Sequence, residues 1–338
     1  MNKPLFRDGQ TDRGAIMARG REVVRIEAEA LAELHASLDD SFVAACDTIF
    51  ATKRQLVVTG MGKSGHIGRK IAATFAATGT PAVFIHPAEA AHGDLGILMK
   101  NDTLLVLSNS GNTPELKAIL TYARAFDIPI IGVASDGNSL LMEKADIGIQ
   151  LPNLREACAA NIAPTTSSTL QLALGDALAM AVMDMRGIPK SWLRTLHPGG
   201  NIGLRLTPIV ELMHGPKSMP LVAADATMPD VISHMTSGRF GIAGVVDEAR
   251  NLVGIITDGD LRRHFDRLTT GSAADVMTRA PKILQADMLA ADALQFLNDN
   301  HITAAFVVNQ HDPEHPLRPV GIVHIHDLLR FGLTCAAT

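Results

Sequence analysis

Val106-Leu-Ser-Asn-Ser-Gly-Asn-Thr-Pro-Glu115 decides how the front of this chain folds. The residues that run into it, Thr103-Leu-Leu-Val-Leu-Ser108, form a short apolar run, the pattern of a buried strand. The residues that follow, 116–126, carry apolar side chains at helical spacing (Leu116, Ile119, Leu120, Ala123). Thr113 then falls at the N-cap and Pro114 at the first helical position, where a missing N–H costs nothing. The turn between them holds Ser108, Asn109, Ser110, Gly111 and Thr113. Hydroxyls and free amides at a helix N-terminus attract a dianionic phosphate through hydrogen bonds and the helix dipole. The competing reading is an ordinary serine-rich strand-to-helix turn.

The same alternation extends on both sides. Residues 55–59, 81–85, 128–134 and 146–151 read as further strands, with helices over 67–77 and 139–145 between them. Five strands alternating with helices predict a doubly wound parallel α/β sheet. Ahead of it, residues 15–38 and 41–51 predict two helices that pack on the sheet or on a sister subunit.

The first strand leads into Gly60-Met-Gly-Lys-Ser-Gly-His-Ile-Gly68, which formally contains a GxGxxG fingerprint. A dinucleotide site would need an acidic residue at the end of the next strand to hold a ribose. That strand ends instead in His86-Pro87, and Lys63 sits inside the turn, where it would meet a small anionic substrate. The glycines also permit a plainer reading, close approach of helix and strand with Lys63 in solvent. His86, Glu89, His92 and Asp94 cluster in the following loop, at the carboxyl end of a strand, where ligands sit in open α/β sheets. Two histidines at that spacing are a weak zinc signal. Further on come Glu156-Ala-Cys158, Pro164-Thr-Thr-Ser-Ser-Thr169 and His197-Pro-Gly-Gly200.

Composition bounds the rest. The chain has 338 residues, 47% of them hydrophobic, and a net charge of −5 without a basic cluster, which argues against a nucleic-acid surface. No run of about 18 apolar residues suggests a membrane span, and the N-terminus has no apolar leader core. Cys46, Cys158 and Cys335 are scattered, which fits a reducing cytoplasm better than disulfides or structural zinc.

Beyond residue 206 an internal repeat begins. Glu211-Leu-Met-His214 answers to Asp275-Val-Met-Thr278, an offset of 64 residues, and Gly254-Ile-Ile-Thr257 to Gly321-Ile-Val-His324, an offset of 67. Each copy reads as strand–helix–strand–strand–helix. The domain plan is therefore a helical region over 1–40, an α/β domain over 41–205, and two small α+β domains over 206–270 and 271–338.

Taken in order, these motifs resemble the sugar isomerase (SIS) domain of D-arabinose 5-phosphate isomerases, and the repeat resembles a tandem pair of cystathionine β-synthase (CBS) domains. The resemblance spans residues 15–334. It implies reversible conversion of D-ribulose 5-phosphate to D-arabinose 5-phosphate through a cis-enediol, supplying Kdo for lipopolysaccharide or capsule. That reaction needs no cofactor. It implies Lys63, Glu115, Glu156 and His197 as catalytic residues. Glu156 would be the base, with its pKa raised toward neutrality, and His197 would open the ring or shuttle protons. Lys63 would balance anionic charge, and Glu115 would orient Lys63 or a sugar hydroxyl. Ser64, Gly79, Thr80, His86 and His92 would contact substrate beside the phosphate turn, and His86 would be a site of inhibitory zinc. A homotetramer with sites shared between subunits is implied too. Thr257 and Asp260 fit a ribose- or phosphate-contact motif for a regulatory nucleotide, with CMP-Kdo as a candidate. His324 replaces the Thr or Ser common in nucleotide-binding copies, Asn112 stands where a Glu is common, and residues 310–318 make a longer hairpin. The rival reading is a non-catalytic sensor, in which the SIS site binds a sugar phosphate and the CBS pair reports it.

Overall fold

Five short strands make the first sheet: β1 (Leu56–Gly60), β2 (Ala82–Ile85), β3 (Thr103–Leu107), β4 (Ile130–Ala134) and β5 (Ile147–Gln150). All pair in parallel, in the order β2-β1-β3-β4-β5. The computed structural model describes residues 6–7, 10–197 and 200–333. The chain divides into two units, Met1–Pro189 and Lys190–Thr338.

In the first unit, alternate residues of each strand supply two cores. Val58, Leu105 and Leu107 face one side, with Ile71, Phe75, Leu174 and Leu178 of the helices α3 (Gly62–Ala77) and α7 (Thr166–Arg186). Val57, Leu104 and Val106 face the other, with Ile119 and Leu120 of α5 (Lys117–Ala125) and Leu141 of α6 (Leu140–Lys144). The period-2 division of strand side chains between two helix layers makes the sheet doubly wound.

The N-terminal helices, α1 (Arg13–Ser37) and α2 (Asp40–Ala51), start on side-chain caps, Asp12 accepting from Ala15 and Asp39 from Ser41. Ala30 and Leu34 of α1 and Ala45, Cys46 and Ile49 of α2 belong to the first core. This stripe of α1 is therefore buried with the sheet. Beside that stripe, α1 leaves Met17, Val24 and Leu31 exposed.

The helix expected from Ile67 begins earlier, at Gly62. The glycines of the fingerprint are the reason: a Cβ on Gly65 would stand 2.5 Å from the Gly60 carbonyl oxygen, so the helix starts hard against the end of β1. Thr113 does precede a helical turn opened by Pro114, yet that turn (Pro114–Leu116) is 3₁₀ and Thr113 makes no side-chain cap bond.

The second unit begins before residue 206, since helices α8 (Lys190–Leu196) and α9 (Asn201–Arg205) belong to it. Its first repeat contains β6 (Leu221–Ala223), α10 (Met228–Gly238), β7 (Ile242–Val246), β8 (Leu252–Thr257) and α11 (Asp258–Arg263). After α12 (Ala273–Val276) and β9 (Thr278–Arg279), the second repeat contains β10 (Ile283–Gln285), α13 (Ala290–Asp299), β11 (Ala304–Val308), β12 (Pro319–His324) and α14 (Ile325–Arg330). The segment leading into each copy pairs with the other copy. β9 adds to β8, and His214 bridges to Ile322 of β12. The matched motifs meet crosswise: Met277 lies over Gly254 and Met213 over Gly321, where a Cβ would collide with the thioether.

Cys46 and Cys158 are free thiols, and Cys335 lies outside the described residues. Among the described residues no helix is long and apolar enough to cross a membrane.

Candidate active site

In a sheet of order 2-1-3-4-5 the chain reverses its winding between β1 and β3, and ligands bind outside the carboxyl ends of the strands at that point. The turn after β1 carries Lys63 and Ser64, and the turn after β3 carries Ser108, Asn109, Ser110 and Thr113. With Glu156, Asn161 and Ser167 they line one cavity of about 390 Å³. The first turns of α3 and α7 contribute Lys63, Ser64 and Ser167, so two helix N-termini open on this space. Their amides and dipoles favour a negative charge there.

The turn after β3 is held by its own hydroxyls. Ser108 Oγ lies 2.9 Å from Thr113 Oγ1 and accepts from the Gly111 amide at 3.1 Å, and Ser110 Oγ accepts from the Asn112 amide. Gly111 has φ +65°, and a Cβ there would overlap the Ser139 hydroxyl. The Gly111 carbonyl in turn accepts from Leu141. A residue free to enter the left-handed region is required at this point.

Glu156 is buried at 9% exposure, and both its oxygens are occupied. Oε2 accepts from the Thr165 amide at 2.8 Å, from Thr165 Oγ1 at 3.1 Å and from the Ser167 amide at 3.3 Å, while Ser167 Oγ donates to Oε1. Burial raises its pKa, but the hydrogen bonds from Ser167 and Thr165 together outweigh it, so the carboxyl is held below the ordinary glutamate value. The expected shift toward neutrality is reversed because the carboxylate sits against the N-terminus of α7. Its own amide donates to Asn161 Oδ1, and the Arg19 guanidinium of α1 donates to the Ala157 carbonyl. Neighbouring Cys158 has its thiol pKa lowered to about 7 by the amides of Ile162, Ala163 and Ala160.

Within the first unit, the remaining sequence candidates do not line this cavity. Glu115 is exposed in the 3₁₀ turn, and among the described residues no ion pair joins it to Lys63. Gly79 and Thr80 precede β2 and therefore lie at the amino ends of the strands, where Arg186 Nε donates to Thr80 Oγ1. His86 opens α4 (Pro87–Ala90) beside Phe84, with its Nδ1 buried and without a partner, and His92 is exposed. No group of three His, Cys, Asp or Glu residues among those described is placed to hold a metal ion. His197 belongs to the second unit, at the end of α8, its Nδ1 2.8 Å from the Leu193 carbonyl. Pro198 and Gly199 of its motif lie outside the described residues.

Four contributors escaped the sequence reading. Ser167 and Thr165 had a signal, the hydroxyl-rich run after Glu156. Asn161 and Arg19 had none, because the loop and the helix that place them are read only in three dimensions.

In the CBS-like unit, Thr257 and Asp260 form a capping box at the start of α11. Asp260 is buried and accepts from Thr257, Arg263 and Thr278, and it is held ionised below the ordinary aspartate value by those bonds despite its burial.

Residues 49–181 match the SIS domain family, and residues 211–267 and 273–333 each match the CBS domain family. The Pseudomonas aeruginosa protein named arabinose 5-phosphate isomerase KdsD is 42% identical over 317 residues, 93% of this chain and 96% of that one. Its Escherichia coli K12 namesake is 41% identical over 93% of this chain and 95% of its own. Among solved structures, an Escherichia coli CFT073 protein in complex with a ligand superimposes with a TM-score of 0.54 at 33% identity, covering 56% of this chain and all of that one. A parallel SIS sheet followed by two CBS repeats, with this degree of identity along nearly the whole length, makes the chain a member of the KdsD arabinose 5-phosphate isomerase family.

Proposed function

We propose that the chain interconverts D-arabinose 5-phosphate and D-ribulose 5-phosphate through a cis-enediol. A proton leaves C2 of the open-chain aldose and returns to C1, while the hydroxyl proton moves from O2 to O1. The observation that carries this reading is the cavity itself: one amine, a ring of hydroxyls and one buried carboxylate share it under two helix N-termini. Ser108, Asn109, Ser110, Gly111 and Thr113 bind the phosphate, Ser64 assists, and Lys63 offsets the negative charge of phosphate or enediolate. Glu156, ionised and facing this space, takes the C2 proton. His197 opens the ring, and Glu115 orients the sugar.

Gly79, His86 and His92 do not line this cavity within one chain, so their contacts with substrate are to a neighbouring copy's site, whereas Thr80, 2% exposed and bonded to Arg186, supports its loop from within. The assembly is a homotetramer. The exposed side chains Met17, Val24 and Leu31, seven residues apart on α1, support a helix-to-helix contact between copies. The product feeds Kdo synthesis for lipopolysaccharide or capsule, and the CBS pair binds a regulatory nucleotide such as CMP-Kdo.

One observation favours the sensor reading: with four donors on its carboxylate, Glu156 serves as a helix cap as much as a base. A turnover assay separates the two. Purified protein is incubated with D-arabinose 5-phosphate in deuterated buffer with chelator present, beside Glu156→Gln and His197→Ala. Turnover with deuterium entering the ketose at C1, lost in both variants, supports the isomerase. Absence of turnover together with thermal stabilisation by the sugar phosphate overturns it in favour of the sensor.

A further inference from the structure

The two CBS-like copies build two clefts that are chemically unlike. At matching positions, Thr257, Asp260, Thr278 and Arg263 line one, and His324, Asp327, His214 and Arg330 line the other. In the first, the carboxylate is consumed by the fold, 3% exposed and bonded on both oxygens. In the second, His214 Nε2 lies 2.8 Å from Asp327 Oδ2, and Arg330 stands off at 3.9 Å.

The second cleft is a cavity of about 700 Å³. Four imidazoles (His214, His234, His324, His326) and three cations (Lys217, Arg239, Arg330) surround a single carboxylate, Asp327, in a chain whose net charge is −5. The cations come from three separate places: the turn Pro216–Ser218, the residue after α10, and the last turn of α14. Among the described residues Lys217 and Arg239 form no ion pair. No three metal-ligating side chains converge there among the described residues, so the histidines do not make a metal centre.

The tautomers can be read from the hydrogen bonds. His324 Nδ1 accepts from the His326 amide at 3.2 Å, so a neutral His324 carries its proton on Nε2. Burial, then the charges of His326, His214 and Arg330, depress its pKa against the pull of Asp327, which keeps the ring neutral and donating at neutral pH. His214 donates through Nε2 to Asp327 Oδ2, so the one carboxylate of the lining is already engaged on one of its oxygens. The lining is therefore rich in donors and positive charge and poor in acceptors.

We propose that this cleft binds an oligoanion, a ligand with two or more adjacent phosphate-type groups, recognised by its charge. This places a ligand in the cleft opposite to Thr257 and Asp260, and it stands whether or not the SIS cavity is catalytic.

Calorimetric titration of the full chain with tripolyphosphate and with orthophosphate, at matched ionic strength, tests it. The expected result is one tripolyphosphate per chain, bound at least about tenfold more tightly than orthophosphate. CTP should differ from tripolyphosphate by less than about threefold, because the nucleoside adds little to a charge-reading site. Lys217→Gln with Arg239→Gln, both exposed positions, should weaken tripolyphosphate by at least about tenfold with no change in the melting temperature of the free protein. Arg262→Gln with Lys282→Gln in the other cleft, and Ser110→Ala in the SIS cavity, should leave it unchanged. The proposal is overturned if tripolyphosphate does not bind, if orthophosphate binds equally well, or if CTP far exceeds tripolyphosphate. Tight binding that survives the Lys217/Arg239 change, or is lost on changing either of the other two sites, overturns it as well.

Discussion

The guanidinium of Arg19, on the first long helix, donates a hydrogen bond to the carbonyl of Ala157, the residue directly after Glu156. A helix outside the sheet thereby sets the height of the carboxylate in the cavity. Arg19→Ala is expected to lower kcat/KM by about 10- to 100-fold, the cost of a displacement of about an ångström at a reacting group. The melting temperature should change little, since the residue is only part-buried. Steady-state kinetics beside thermal melting checks this, and a fall in stability as large as the fall in activity would contradict it.

Ser167 donates twice to Glu156, through its amide and its hydroxyl. Ser167→Ala removes one of the two and should destabilise the protein by about 1–2 kcal/mol at neutral pH. The sign of the pH dependence follows from the depressed pKa. Stability gained from an ionised Glu156 is fully present above the ordinary glutamate value of about 4.3 and fades as pH falls through the lower folded value. Urea unfolding at about pH 7 and about pH 3.5 should therefore show the gap between wild type and variant narrowing in acid.

Gly111→Ala places a Cβ against Ser139 and forces an L-residue to φ +65°. The left-handed conformation alone costs about 1–2 kcal/mol. The turn should open, raising KM for the sugar phosphate well beyond any change in kcat. An unchanged KM would mean that the phosphate is held elsewhere.

Asp260→Asn weakens bonds to Thr257, Arg263 and Thr278 in one substitution. Because Arg263 is largely exposed, a loss of about 1–3 kcal/mol is expected rather than that of a fully buried pair. Calorimetry should show the transition of the C-terminal unit moving down while arabinose 5-phosphate turnover at low temperature is retained.

Val24→Glu puts a carboxylate in the middle of the exposed apolar face of α1. Sedimentation should then report a smaller assembly than the wild type. An unchanged sedimentation would exclude this face from a contact between copies.

The strands and the winding of the first sheet were legible because each strand is a short apolar run bounded by turns, and the order of the motifs carried the family. Boundaries followed less well where packing overrode local pattern. α3 starts at Gly62 because Gly65 tolerates the Gly60 carbonyl at its back, a tertiary contact with no period to reveal it. Lys63, Ser108, Ser110, Thr113 and Glu156 were picked from sequence and share a cavity. The protonation of Glu156 was read with the wrong sign, because burial is visible as a pattern of neighbours whereas the four donors come from residues 165 and 167 folding back on 156. The capping box of Thr257 and Asp260 carried no separate signal, since a contact motif for ribose and a capping box use the same residues, Thr and Asp three apart.

The crossed lead-in strands of the two repeats fix the order in which the chain can be completed. His214 bridges to Ile322, and Thr278 and Arg279 lie on Ile255 and Gly254, so neither repeat closes with its own segment alone. During synthesis the first repeat must wait for more than a hundred further residues of chain before His214 finds its partner, while every strand of the parallel sheet has been synthesised by residue 150. Truncation within the second repeat would remove Ile322 and strand the opening of the first as an unpaired edge, exposed to aggregation. The crossed pairing ties the two repeats together, and a nonsense mutation late in the gene would damage the beginning of this unit as well as its end.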